Sequence, residues 1–218
     1  MHNGKGGMIG VIARMGRWIM FAQVIEGKVS DKAGLRRQMD KWAAELRPGA
    51  TGFLGSTSGV TDDGIGFAIA RFESAAAAKA NSQRAEQGQW WSETEKCYDG
   101  TVSFSDSDDV EEFLGGGSND AGFVQVMKIA DGPDRATVTN LDQQFEKHAK
   151  TWRPDLIGGV RVWTGTTSTV EVNYFRSEED ARRNESKEPP PELAELFAQY
   201  ADVMAKTEFL DLRDPWLV

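Results

Sequence analysis

Two spacings of apolar residues follow one another along this chain in a regular order. Residues 20–27 and 122–129 alternate Val, Ile and Phe with other residues, which predicts a strand at each place. After each strand the apolar spacing becomes helical, which predicts a helix with one apolar stripe. The stripes are formed by Leu35, Met39, Trp42 and Leu46, and by Val138, Leu141, Phe145, His148 and Trp152. An Arg-Pro pair after each stripe ends the helix, because proline cannot continue it.

Two further strands, a second helix and a last strand follow each of these helices. The strands are predicted at 51–58, 64–72 and 101–105, and again at 159–164, 169–175 and 207–212. Ser74 and Ser177 can cap the second helices. The order β-α-β-β-α-β, found twice, is that of the ferredoxin-like unit, a four-stranded antiparallel sheet with two helices on one face. The predicted fold class is therefore α+β.

Four short segments recur in the same order in the two parts of the chain. The pairs are Phe21–Val24 with Phe123–Val126, Arg47-Pro48 with Arg153-Pro154, Phe72 and Ser74 with Phe175 and Ser177, and Phe104 and Asp106 with Phe209 and Asp211. Their offsets of 102, 106, 103 and 105 residues differ only as small loop insertions would make them. We predict a tandem duplication, with an N-terminal extension at 1–19, repeats at 20–114 and 122–218, and a flexible Gly/Ser-rich linker at 115–121.

One face of each predicted sheet has no helix to cover it. Apolar residues on that face need another surface, since large exposed apolar patches are unusual in soluble proteins. The simplest arrangement packs the two sheets against each other within the one chain. The sequence therefore predicts an intramolecular α/β barrel.

This pattern resembles the dimeric α/β-barrel superfamily and, within it, the group similar to antibiotic biosynthesis monooxygenases. The resemblance lies in the strand Phe21–Val24, the stretch Phe72–Ser82 and the strand at Phe104. It implies two ferredoxin-like units paired sheet to sheet. The group includes cofactor-independent oxygenases and haem-degrading enzymes. The haem-degrading branch resembles this chain less, because Gln23 or Gln125 stands where that branch has Asn, so no catalytic residue is carried over from it.

Composition and charge narrow the function classes. The formal net charge is −9, which disfavours nucleic acid as a partner. Arg14 and Arg17 interrupt the apolar run at 8–25, so we expect neither a signal peptide nor a membrane span.

Cys97 is the only cysteine, which fits a cytoplasmic location and rules out a thiolate metal cluster. Dinucleotide, P-loop and metalloprotease motifs are lacking, and we predict no metal and no cofactor. The sequence is consistent with either a monomer or a homodimer.

His148 and Tyr174 are the predicted catalytic residues. His148 lies on an apolar stripe at the position that Trp42 has in the first repeat, and a titratable group facing an apolar cleft can act as acid or base. A core histidine bonded to a carbonyl oxygen is the alternative. Tyr174 can donate a hydrogen bond to a carbonyl or phenolate, or simply pack with its hydroxyl toward solvent.

Tryptophan and asparagine side chains are the predicted binding residues. Trp90 and Trp91 are neighbours on a helix and cannot both face the sheet, so one can stack on an aromatic ligand. Trp42 is a third candidate. Asn81 and Asn184 recur in both repeats, which indicates a shared ligand role or a shared bond to backbone.

Three functions fit these observations. The first is binding of a small apolar or aromatic molecule in a cleft between helix and sheet. The second is a cofactor-independent monooxygenase acting on an aromatic or polyketide-like substrate, in which a side chain takes a phenol proton. The third is a non-catalytic interaction module.

Overall fold

The computed structural model describes residues 20–117 and 119–218, so the predicted extension at 1–19 and residue 118 of the predicted linker lie outside the described residues. The strands are β1 (Phe21–Lys28), β2 (Phe53–Val60), β3 (Ile65–Phe72), β4 (Ser103–Ser107), β5 (Val110–Phe113), β6 (Phe123–Ile129), β7 (Leu156–Trp163), β8 (Thr169–Phe175), β9 (Glu208–Leu212) and β10 (Trp216–Leu217). The helices are α1 (Lys32–Lys41), α2 (Ala75–Ser82), α3 (Ala85–Thr94), α4 (Arg135–Trp152), α5 (Glu178–Glu185), α6 (Pro191–Gln199) and α7 (Ala201–Lys206).

The strands form two antiparallel sheets. The first sheet has the order β10-β2-β3-β1-β4 and the second has the order β5-β7-β8-β6-β9. We call the first sheet with α1–α3 the first unit and the second sheet with α4–α7 the second unit. Apart from β5 and β10, each unit has the predicted β-α-β-β-α-β order with its second helix divided. The α+β fold of two ferredoxin-like repeats is thereby confirmed.

The expectation of four strands in each sheet is wrong, because each sheet has a fifth strand taken from the other part of the chain. β5 follows β4 in sequence but pairs with β7 of the second sheet, with Val110 opposite Val162. β10 ends the chain and pairs with β2 of the first sheet, with Trp216 opposite Ser58. These strands are four and two residues long, which is too short for an alternating pattern to be visible.

Short polar side chains begin the predicted helices. Asp31 caps α1 by accepting a hydrogen bond from the backbone of Gly34, and Ser74 and Ser177 cap α2 and α5 in the same way. After α1 the chain continues as a π-helical segment at Trp42–Leu46 and a 3-10 turn at Arg47–Gly49. The proline of this turn cannot donate the next helical hydrogen bond, which ends the helix as expected.

The two sheets pack face to face, and their contact is the main core. Alternate residues of the central strands point inward, since successive side chains of a strand lie on opposite faces. The fully buried residues of this core are Ala22, Ile69, Val124, Val126, Val160, Val162, Val172 and Leu212. The uncovered sheet faces thus cover one another within one chain, as expected. No helix among the described residues is long and apolar enough to cross a membrane.

Candidate functional site

The helix-facing side of each sheet encloses a cavity, and the two cavities differ in size. The second-unit cavity has a volume of about 610 Å³ and lies between the second sheet and helices α4, α6 and α7. The first-unit cavity has a volume of about 110 Å³. The larger volume is in the range of known ligand sites, which makes the second-unit cavity the candidate functional site.

Helices and strand edges supply the apolar part of the second-unit cavity. Tyr200, between α6 and α7, lines the cavity together with the helical residues Val138, Leu141, Phe145, Leu193, Phe197, Val203 and Met204. Phe197, Met204 and Phe209 are large apolar side chains that line the cavity and remain 40%, 40% and 43% exposed. Burial of these surfaces against an apolar molecule would be favourable.

We call β5 and β10 exchanged strands, because each pairs with the sheet of the other part of the chain. Strand β5 also contributes to the wall of the second-unit cavity. Phe113 lines the cavity and packs over Gly159 of β7, where a Cβ atom would lie only 1.9 Å from the ring. Any larger residue at 159 would displace this ring. In the same way Trp216 of β10 lines the first-unit cavity. Each cavity therefore depends on an aromatic residue from an exchanged strand.

Polar side chains of the second sheet form the floor of the second-unit cavity. Asn173, Gln125 and Asp211 lie side by side on β8, β6 and β9. The Nε2 of Gln125 donates to Asp211 at 3.0 Å. Arg161 and Glu171 are paired across β7 and β8 in the adjacent row.

Arg161 is held in place by carboxylates. It is 5% exposed, its Nε donates to Glu171 at 2.7 Å, and its Nη1 donates to Asp142 of α4 at 2.7 Å. Burial by itself would lower the pKa of this guanidinium, but the hydrogen bonds and negative charges of Asp142 and Glu171 outweigh burial and raise the pKa. The ion pairs join the floor of the cavity to helix α4.

A second arginine closes the opposite edge of the floor. Arg182 of α5 donates to Asp211 and to Glu185. Burial opposes the charged form of Arg182, but the hydrogen bond to Glu185 and the negative charges of Asp211, Glu185 and Glu178 raise its pKa. Both arginines of the floor are therefore already paired with carboxylates.

Asn173 is the exception among these polar groups. Its side chain is 8% exposed, and among the described residues its Nδ2 has no hydrogen-bond partner. Buried donors without a partner are rare in folded proteins. Asn173 is one of the residues that line the second-unit cavity.

The predicted binding residues Trp42, Trp90, Trp91 and Asn81 come together around the first-unit cavity. The indole nitrogen of Trp42 donates to Gln87 and that of Trp90 donates to the carbonyl oxygen of Gln38, each at 2.8 Å. The ring centroids of Trp42 and Trp90 are 6.5 Å apart, and those of Trp90 and Trp91 are 6.1 Å apart. The three indoles thus form a large part of the lining of the smaller, first-unit cavity.

The other predicted site residues line neither cavity. His148 is half-buried on α4. Tyr174 lies between the sheets, where its hydroxyl is 2.7 Å from that of Thr57 and burial raises its pKa. Asn184 donates to the backbone oxygen of Asp180 within α5. The structure therefore does not bring His148 or Tyr174 together with the tryptophans, and their catalytic roles stay a prediction.

Sequence reasoning missed Asn173, Arg161 and Glu171, the residues of the cavity floor. A signal was present in the aligned strands. Asn173 and Glu171 on β8 stand where β3 has Ala70 and Ala68. A polar residue at a helix-facing position whose repeat partner is alanine indicates a role that the fold alone does not require.

Comparison with solved structures identifies the fold. A candidate monooxygenase from Lactobacillus acidophilus superposes with a TM-score of 0.68 at 11% identity, covering 92% of this chain and 99% of that one. A candidate monooxygenase from Fusobacterium nucleatum gives a TM-score of 0.67 at 10% identity, covering 92% and 94% of the two chains. This chain has their tandem α/β-barrel fold. The fold expected from the resemblance is confirmed over nearly the whole chain.

A third structure extends this comparison. A candidate chlorite dismutase gives a TM-score of 0.52 at 13% identity and covers 91% of this chain. No family model matches the sequence. No curated protein matches it by sequence either.

Proposed function

We propose that this protein binds a small, largely apolar or aromatic molecule in the second-unit cavity. The observation that carries the proposal is a cavity of about 610 Å³ with mostly apolar helical walls, at a place where the first unit has only about 110 Å³. A close-packed interior normally leaves few voids larger than water. An open apolar cavity of ligand size is therefore typical of a binding site.

Binding can be tested with a neutral naphthalene such as 2-ethylnaphthalene. Titration calorimetry should detect one site per chain, and the probe should raise the unfolding temperature by mass action. Leu141→Trp, which places an indole in the cavity, should abolish the heat of binding. Binding of equal strength to Leu141→Trp would contradict the proposal.

The repeat offers a matched control. Phe209 and Phe104 are equivalent edge-strand residues with exposures of 43% and 47%, but only Phe209 lines the second-unit cavity. Phe209→Ala should weaken binding of the naphthalene by about tenfold, which corresponds to ~1.4 kcal/mol. Phe104→Ala should leave the affinity unchanged.

Oxygenation of the bound molecule is a second candidate function. Its support is the likeness to two nearly full-length structures described as candidate monooxygenases. In such a reaction without a cofactor the substrate itself supplies the electrons that reduce O₂, after a base removes its proton. The four carboxylates of the wall, Asp142, Glu171, Glu185 and Asp211, are all engaged by arginines, which favours binding over catalysis.

An oxygen electrode separates these two functions. An oxygenase consumes O₂ when a hydroxyaromatic compound is added, whereas a binding protein does not. If O₂ is consumed, His148→Ala and Tyr174→Phe test the two predicted catalytic residues. A rate that is unchanged in both variants would remove them from the mechanism.

A further inference from the structure

The geometry points to a ligand that is uncharged and that presents a hydrogen-bond acceptor, such as a carbonyl oxygen, to the Nδ2 of Asn173. This inference rests on the proposed binding function and specifies the class of ligand. It depends on three features of the second-unit cavity: the unpaired amide, the paired charges of the wall, and the contrast with the first unit.

The neighbours of Asn173 leave its amide without a partner. On one side β7 presents Gly159, which has no side chain. On the other side β6 presents Gln125, whose amide nitrogen is turned toward Asp211 at 3.0 Å. Among the described residues no acceptor reaches Nδ2, although the side chain is buried. An acceptor on a molecule in the cavity would satisfy this donor.

The charges of the wall disfavour an ionised ligand. Three arginines, Arg153, Arg161 and Arg182, line the cavity together with the carboxylates of Asp142, Glu171, Glu185 and Asp211. These are three positive against four negative groups, which leaves the wall with one net negative charge.

Each arginine of the wall is already bonded to a carboxylate. Arg153 donates to Asp155 at 2.8 Å, Arg161 to Asp142 at 2.7 Å, and Arg182 to Asp211. A ligand carboxylate would lose its hydration and find no unpaired cation, which is costly in a site of low polarity. A ligand cation would have to compete with these arginines for the carboxylates.

The first unit shows that the fold itself does not need these polar groups. At the positions of Asn173, Glu171 and Arg161 the first sheet has Ala70, Ala68 and Ser58. The same strands in the same register are built there with small residues. The polar residues Asn173, Glu171 and Arg161 therefore occur only beneath the large cavity, as expected if they recognise a ligand.

Three probes that share one ring system test this inference. The probes are 2-acetylnaphthalene, a neutral acceptor, 2-naphthoate, an anion at pH 7, and 2-ethylnaphthalene, which has no polar atom. With the wild-type chain, calorimetry should show the ketone binding about tenfold more tightly than 2-ethylnaphthalene, the gain expected of one good hydrogen bond. The anion should bind at least tenfold more weakly than the ketone.

Asn173→Ala tests the contact itself, and alanine is the residue that the first unit has at this position. The tenfold preference for the ketone over 2-ethylnaphthalene should disappear, while the affinity for 2-ethylnaphthalene stays within about twofold. Without ligand, the unfolding temperature of this variant should not fall, which separates a ligand role from a structural one.

Each outcome has one interpretation. Equal binding of naphthoate and ketone would overturn the statement about charge. A ketone preference that survives in Asn173→Ala would overturn the assignment of Asn173. If either of these results is obtained while 2-ethylnaphthalene still binds the wild-type chain, the proposed function stands and the inference fails. If none of the probes binds the wild-type chain, the proposed function and this inference fall together.

Discussion

The helix-facing side of the first sheet carries Ser58, Ala68 and Ala70, whereas the same side of the second sheet carries Arg161, Glu171 and Asn173. The helical side chains that cover these residues differ in size in the opposite direction, with the larger ones over the small sheet residues. The first unit covers its small floor with the indoles of Trp42, Trp90 and Trp91, and the second unit has leucine, valine and phenylalanine above its larger floor. The same backbone fold thus gives a nearly filled core in the first unit and an open cavity in the second unit.

This contrast separates the residues that the fold needs from those that a ligand needs. The capping serines and the Gln–Asp pairs between neighbouring strands occur in both units, and we assign such shared residues to the common fold. Residues present in only one unit change the space between sheet and helices. The following predictions test this division, beginning with the largest expected effect.

Trp42→Ala should cause the largest loss of stability. Trp42 is 9% exposed and packs against Phe53 at a ring distance of 4.8 Å, so its removal leaves a cavity in the core of the first unit. The expected loss in unfolding free energy is ~3–5 kcal/mol. His148→Ala at the repeat-equivalent position should cost less than ~1 kcal/mol, because His148 is only half-buried. Urea denaturation of both variants measures the difference, and similar losses would refute it.

Arg161→Leu should have the next largest effect. The substitution leaves Asp142 and Glu171 without their cation beneath α4, which we expect to cost ~3 kcal/mol. Ser58→Ala is the control in the first sheet and should cost less than ~1 kcal/mol, since it removes only a 3.4 Å hydrogen bond. Combining Arg161→Leu with Asp142→Leu and Glu171→Leu should recover much of the loss. A triple variant no more stable than Arg161→Leu would show that charge pairing is not the cause.

Asn173→Ala and Ala70→Asn should shift stability in opposite directions. The first removes a buried donor without a partner and should stabilise the unliganded protein by ~1 kcal/mol. The second places an amide beside the indoles of the first-unit cavity and should destabilise the protein by a similar amount. Thermal unfolding of both variants without ligand is the measurement. A stability loss in Asn173→Ala would mean that the amide serves the fold.

Alkaline pH should lower the stability of the protein gradually. Burial, followed by the charge of Cys97, raises the pKa of Tyr98 from 10.0 to about 12. The folded state holds this proton more tightly than the unfolded chain, so the contribution to stability is intact below pH 10 and is lost as the pH rises toward about 12. Tyr98→Phe should flatten the pH dependence of unfolding in this range. An unchanged slope in Tyr98→Phe would assign the pH dependence to other groups, such as Tyr174, whose pKa burial also raises.

Local patterns were enough to predict most of the elements and several of their ends. Ser74 and Ser177 cap helices as expected, because an N-cap bond joins a side chain to a backbone group only three residues away. The exchanged strands β5 and β10 could not be predicted, since their positions depend on partners about 50 and 158 residues away in sequence. Strands of this length carry too few residues to show a period.

The candidate site was only partly visible. Trp42, Trp90 and Trp91, which the sequence analysis proposed as binding residues, surround the smaller cavity. Asn173 was not singled out, because an asparagine in a strand has no distinctive spacing. The unpaired state of its amide arises from Gly159 and Gln125 on the adjacent strands, which only the register of the sheet brings beside it.

The amino-acid sequence by itself determined that the chain is duplicated, that each repeat has the ferredoxin-like order, and that the apolar sheet faces must cover one another. These properties follow from periodicity and from the cost of leaving apolar surface in water, both of which can be read along a chain. The tertiary structure alone decided which unit keeps an open cavity, because the volume between a sheet and its helices depends on side chains that are distant in sequence. It also decided which buried polar group of the cavity wall has no partner, since a hydrogen bond depends on distance in space.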